Sequence, residues 1–206
     1  MNKMRLIPQK LTNNNTAESK NGYFWRYFLI CEKGCFMLCI NVCEYSGDIS
    51  KAVFSRLKEY FEVLYLRKHT LKKAGSGEEI LLISTGYIIN TDIPAINIFS
   101  PDFNICPSDE VSGVSIVWSQ CKNQLKALAK SNTEVITCGM SQKDTFTCTS
   151  IDDLRVLIAM QRTICDIYGA KHLPFEMPVE INNTNEIYIE MAIAAVKTLL
   201  QCQTDT

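Results

Sequence analysis

The sequence predicts an α+β domain: an antiparallel or mixed sheet of about six strands in hairpins, helices packed on one face, and an apolar helix at the C-terminus. Three observations carry that expectation. Short runs rich in aromatic and β-branched residues alternate with breaks containing glycine or proline. Two segments place apolar residues three and four apart, the spacing of a helical stripe. An apolar content of 47% over 206 residues is enough to build a sizeable core.

Residues 1–22, with the polar stretch "TNNNTAESK", are expected to form a disordered leading segment, and 23–206 a single domain. That start has no apolar core of the kind a secretory signal peptide needs. No window reaches the unbroken apolar length, roughly 18 to 20 residues, of a membrane span. The 21 Lys+Arg residues balance 22 Asp+Glu, a net charge of -1, which removes any general attraction to phosphate backbones and argues against nucleic acid. The expected compartment is the cytoplasm, with reduced thiols among the ten cysteines. An Asn- and Thr-rich start is also compatible with a secretion route that uses no signal peptide.

The first elements are "YFWRYFLIC" (23–31) and "CFMLCINVCEY" (35–45), read as a β-hairpin whose connection "EKG" ends in Gly34. Asp48 then caps a helix carrying Ile49, Val53, Phe54, Leu57, Tyr60, Phe61 and Leu64 on one stripe. The polar "RKHTLKKAGSGEE" (67–79) reads as a connection, followed by strands at 80–90 and 95–100. Val111, Val114, Trp118, Cys121, Leu125 and Leu128 share a helical face, although Gly113 and the β-branched run at 114–117 leave open a strand followed by a helix. A further hairpin is expected from 133–140 and 144–150. Ser150 would cap a helix through Gly169, with Asp152 and Asp153 at its positive end and Leu154, Leu157, Ile158, Ile164 and Cys165 buried. The segment 187–203 is apolar around most of a helix and belongs in the core or in an oligomer interface. The units share element type without a residue-by-residue repeat.

Cysteines at 31, 35, 39 and 43 raise the question of a metal. Along an extended strand, residues four apart are separated by roughly 13 Å, whereas a zinc ion needs its sulfurs about 2.3 Å away. Only Cys31 and Cys35, facing each other across a turn, remain as metal candidates, with zinc as the ion; no other cofactor is expected. Free cysteines elsewhere act as small apolar side chains. The catalytic candidates are Cys106, which precedes Pro107 at an expected helix start where thiols are activated, and His172 in a polar connection beside Lys171. The segment "KKAGSGEE" lacks the glycine, lysine and hydroxyl spacing of a phosphate loop and reads as a flexible linker. Arg67, Lys68, Lys72 and Lys73, with His69, read as a solvated helix end. The aromatic run Tyr23, Phe24, Trp25, Tyr27 and Phe28 contains one cation, Arg26, and suits a buried sheet better than a base-stacking platform.

With no dense catalytic signature, the sequence points to a soluble protein–protein interaction module, an accessory, adaptor, inhibitor or effector component. Its partner would be another protein or a second copy of itself, met through the last helix and the aromatic hairpin. Two alternatives stand beside it: a thiol- or His-dependent enzyme with a site assembled from distant residues, and a structural zinc protein.

Overall fold

The structure, a computed structural model, describes residues 5–9, 26–30, 38–106, 109–152, 155–181 and 186–202, with the backbone alone at 5–9 and 26–30. The chain divides into two units, 1–36 and 37–206. In the first, β1 (Arg5–Gln9) pairs antiparallel with β2 (Arg26–Ile30), Arg5 opposite Ile30. Cys31, Cys35 and most of the aromatic run lie outside the described residues or are described by backbone alone.

The second unit is built on a ten-stranded sheet. Its strands are β3 (Leu38–Cys43), β4 (Glu62–Arg67), β5 (Thr70–Ala74), β6 (Glu79–Thr85), β7 (Ala95–Phe99), β8 (Gly113–Trp118), β9 (Thr133–Gly139), β10 (Phe146–Asp152), β11 (Arg155–Met160) and β14 (Phe175–Glu180). They lie in the order β14-β11-β10-β9-β8-β7-β3-β6-β4-β5. From β4 across to β10 every neighbouring pair is parallel. Antiparallel pairing is confined to the margins, β4 with β5, β10 with β11 and β11 with β14. A separate two-stranded ribbon joins β12 (Ile164–Cys165) to β13 (Lys171–His172).

This is a doubly wound α/β fold, not the six-stranded hairpin sheet that the sequence suggested. The reason lies in burial. A parallel strand covered on both faces reads as a continuous apolar run, and β3, β6 and β7 have almost no solvent-facing position that would reveal their direction. The expected hairpin of 35–45 is absent, because β3 takes β6 and β7 as parallel neighbours, Ile40 lying opposite Leu82 on one side and Ile96 on the other. β9 and β10, expected to fold back on each other, run parallel and overlap only at Cys138–Gly139.

Helices cover both faces, which corrects the one-faced arrangement. Helix α1 (Asp48–Leu57) and helix α3 (Ile187–Leu199) pack on the face carrying Ile40, Leu82, Ile98, Ile116, Ile136 and Ile158. Helix α2 (Lys122–Leu128) places Leu128 on the opposite face with Phe99, Phe103 and Val117. Helix α1 ends seven residues before Leu64, since Val63 and Tyr65 point inward at strand spacing within β4. The described residues of 150–169 form no helix: Val156, Ile158 and Met160 alternate into the core along β11. Of the two arrangements left open for 107–131, the described residues 109–131 form the strand followed by a helix.

Helix α3 is buried around most of its circumference, so its apolar surface belongs to the core. Arg56 of α1 reaches Glu190 of α3 at 3.4 Å. Burial raises the Glu190 carboxyl above its ordinary range despite that cation. At the start of α3, Tyr188 donates its hydroxyl to the Phe99 carbonyl at 2.5 Å and packs edge-on against Trp118.

The turn 75–77, expected to be a flexible linker, is tightly built. Gly75 has φ +91°, and a Cβ there would collide with the Phe61 carbonyl oxygen. Gly169 has a similar φ of +87° but faces open space. In urea denaturation Gly169→Ala should therefore lose about 1 kcal/mol, the left-handed backbone cost alone, while Gly75→Ala should lose well over that because the backbone must also shift. Equal losses would remove the close-approach argument.

Candidate functional site

In a doubly wound sheet, ligands bind outside the carboxyl ends of the strands, where successive connections leave in opposite directions. Here that point is the end of β3, between β6 and β7. The chain leaves β3 through Glu44, Tyr45, Ser46 and Gly47 and enters α1 at Asp48. Strand, tight turn and helix in this order form the setting of a phosphate loop, in which helix N–H groups and the positive end of the dipole face an anion.

The anion at this helix is the protein's own. Glu44 is 3% exposed and lays its carboxylate across the start of α1. Its two oxygens accept the Ile49 and Ser50 backbone N–H groups, each at 3.0 Å, and one of them also accepts the Ser84 hydroxyl from the end of β6, again at 3.0 Å. Ser50 in turn is hydrogen-bonded to the Tyr65 hydroxyl at 2.9 Å. Gly47, at φ +88°, lets the turn close, and the Arg67 guanidinium lies against it while donating to the Ser46 carbonyl.

Against the pattern G-x-x-x-x-G-K-[S/T], the stretch 42–49 keeps only its second glycine, Gly47. Val42 stands at the first glycine, Asp48 at the lysine and Ile49 at the hydroxyl residue. A nucleotide phosphate therefore does not fit here: its N–H donors are engaged by Glu44, its lysine is a carboxylate, and the residue that would meet a magnesium ion has an apolar side chain. No step through a bound nucleotide follows from this geometry. The turn escaped notice in the sequence because its lysine is missing; the remaining signal was a glycine one residue before a capped amphipathic helix.

The opposite side of the same crevice is aromatic. Tyr45 stacks on Phe103 with centroids 5.9 Å apart, and Tyr45 and Tyr87 are both more than half exposed. Below them a buried polar seam crosses the sheet. Asn41 donates to Asn97 at 3.4 Å, and Asn97 donates to the Ser112 carbonyl at 2.8 Å. Thr85 donates to the Asn41 side-chain oxygen at 3.4 Å.

The structure does not unite the two catalytic candidates. Cys106 is exposed in the segment between β7 and β8, next to Ile105 on the α2 face of the sheet. His172 lies beyond the other face, where its Nε2 meets the buried Asp166 carboxylate at 2.8 Å. Asp166 also accepts the Tyr168 and Ala170 backbone N–H groups at 2.9 Å and the Gln201 amide at 2.5 Å. Burial opposes its charge, yet these bonds, His172 first, hold its carboxyl below the usual range. Among the described cysteines, burial pushes the Cys39 thiol up to about 12, and those of Cys43 and Cys138 higher still. Such thiols are inert packing groups. Among the described residues no cluster of three or more His, Cys, Asp or Glu side chains is placed to hold a metal.

No protein-family model matches the sequence, and no curated protein matches it. Solved structures do. The UDP-N-acetylmuramoylalanyl-D-glutamyl-2,6-diaminopimelate--D-alanyl-D-alanyl ligase from Acinetobacter baumannii superposes with a TM-score of 0.50 and 9% identity over 83% of this chain. A murein peptide ligase from Psychrobacter arcticus gives 0.50 and 8% over 80%. The fold is shared with these ligases. In each case this chain spans 44% of the ligase's length. The burial of α3 corrects the interaction-module reading: the helix put forward as a partner surface is core.

Glu44→Ala would strand two helix N–H groups and the Ser84 hydroxyl in a buried position, and should cost roughly 3 kcal/mol in urea denaturation. Ser84→Ala, which removes one donor and leaves the carboxylate bonded, should cost about 1 kcal/mol. The acid limb of stability should report Asp166. Its folded carboxyl is depressed, so its contribution is complete above the unfolded value and is lost as pH falls through the lower folded one. Asp166→Asn should lower the melting temperature at neutral pH and shrink the gap to wild type below pH 4, as read by thermal melts across pH.

Proposed function

We propose that this domain is a nucleotide-independent version of the ligase fold, one that binds its ligand at the carboxyl edge of the sheet without ATP. The observation that carries this reading is the Glu44 carboxylate bonded to the Ile49 and Ser50 N–H groups and to Ser84. A charge-assisted network inside the fold holds the position where a phosphate would sit, so an incoming anion meets like charge and donors already engaged. Asp48 at the lysine position strengthens that repulsion, and Lys51, the cation closest in sequence, is paired with Asp48 at 3.5 Å. What stays open at this edge is aromatic, Tyr45 and Tyr87, which suits a ligand without phosphate.

A second reading, an ATP-dependent ligase, is favoured by the fold shared with the two ligases and by Gly47 with its positive φ between the first parallel strand and its helix. It requires Glu44 to leave the helix and another cation to replace the missing lysine. Titration calorimetry with MgATP separates the two. The nucleotide-independent reading expects no saturable heat up to about 5 mM and no phosphate release. Micromolar binding to the wild-type chain, weakened by Gly47→Ala, would overturn it in favour of the ligase.

A further inference from the structure

At the opposite edge of the sheet, where β4 and β6 begin, Tyr60, Phe61, Glu78, Tyr168, Gln201 and Cys202 surround a cavity of about 520 Å³. Two helices end here. The chain leaves α1 through Lys58 to Phe61, and α3 through Leu200 to Cys202. Each helix C-terminus carries partial negative charge, and two that converge on one cavity favour a cation. Glu78 adds a full negative charge at the wall, on the turn that Gly75 and Gly77 hold against the end of α1. Tyr168, half exposed, stands on the same wall as Glu78, so an aromatic residue and a carboxylate border the cavity together.

The corner already contains one ammonium from the chain. The Lys197 ammonium stands 4.7 Å over the Tyr60 ring and donates to the Tyr60 hydroxyl at 3.2 Å. Behind the wall, Asp166 holds Gln201 and the Tyr168 backbone in place. Cys202 adds no charge of its own, since burial pushes its thiol up to about 11 despite Lys197.

We propose that this cavity is a binding site for a small organic ammonium group, seated against Phe61 and Tyr168, beside the Tyr60 ring that Lys197 already occupies, with Glu78 as its counter-ion. Aromatic faces with a nearby carboxylate select alkylated ammonium over a hydrated metal ion, because the rings attract the charge without having to strip tightly held water. The site is independent of the Glu44 crevice and lies at the other end of the strands.

The test is a choline chloride titration of the full chain followed by tyrosine fluorescence, with sodium chloride at equal ionic strength as the control. Tyr168 and Glu78 are exposed on turns, so Tyr168→Ala and Glu78→Gln should fold normally. The expected result is a saturable response to choline that sodium does not reproduce, with affinity falling about threefold to tenfold in each variant. Ser84→Ala, at the other edge, should leave it unchanged. A response matched by sodium, or one equal in wild type and both variants, would overturn the proposal.

Discussion

The middle of a seven-strand parallel block, β3, β6 and β7, is buried on both faces, and that imposes the requirement that shapes the rest of this fold. Every such strand needs cover above and below, and the chain supplies it with α1 and α3 on one side and α2 with Phe103, Ile105 and Val111 on the other. That demand explains why α3 is largely apolar: it lies over β8 to β11 and is flanked by α1, which covers β4 and β6 on the same face. It also explains why polar side chains inside the sheet come in bonded sets. Asn41 and Asn97 lie directly opposite each other on β3 and β7, where an isolated amide would cost more than the strand contact gains.

The same economy operates at the start of α1. A helix beginning inside a fold must satisfy its first N–H groups, and nucleotide-binding folds leave them free for phosphate. Here one carboxylate, supplied three residues before Gly47, satisfies two of them permanently and fastens the turn to β6 through Ser84. Helix stability and anion binding draw on the same donors, and here the donors of Ile49 and Ser50 are given to Glu44.

How much of this was legible depends on whether a segment has a solvent side. Helix α1 and helix α3 stood out because Ile49, Val53 and Leu57, and the long apolar stretch from Ile187, follow helical spacing. β6 and β7 were visible as strands, but their parallel pairing through β3 was not, since Leu82, Ile40 and Ile96 look alike whichever way their strands run. Residues 150–169 misled because Asp152 and Asp153 imitate a helix start and Leu154, Leu157 and Ile158 imitate its stripe. The alternation of Val156, Ile158 and Met160 was the stronger signal. Of the site, Ser84 and Glu44 are forty residues apart in sequence, and only the sheet order makes them neighbours. Cys106 and His172 drew attention through their chemistry and are separated by the thickness of the sheet.

The two outer strands have a consequence for how the molecule behaves in a crowded solution. β5 ends the sheet on one side with Lys72 and Lys73 on a largely exposed strand, and β14 ends it on the other with Pro178 between Glu176 and Glu180. Lys73 is paired with Glu62 and Glu79, which leaves Lys72 as the lysine whose charge disfavours a second copy of the same edge, and a proline has no N–H to extend the ladder. A sheet this wide and this apolar would otherwise be a template for further strands. Among the described residues, its two margins carry features that disfavour the addition of further strands.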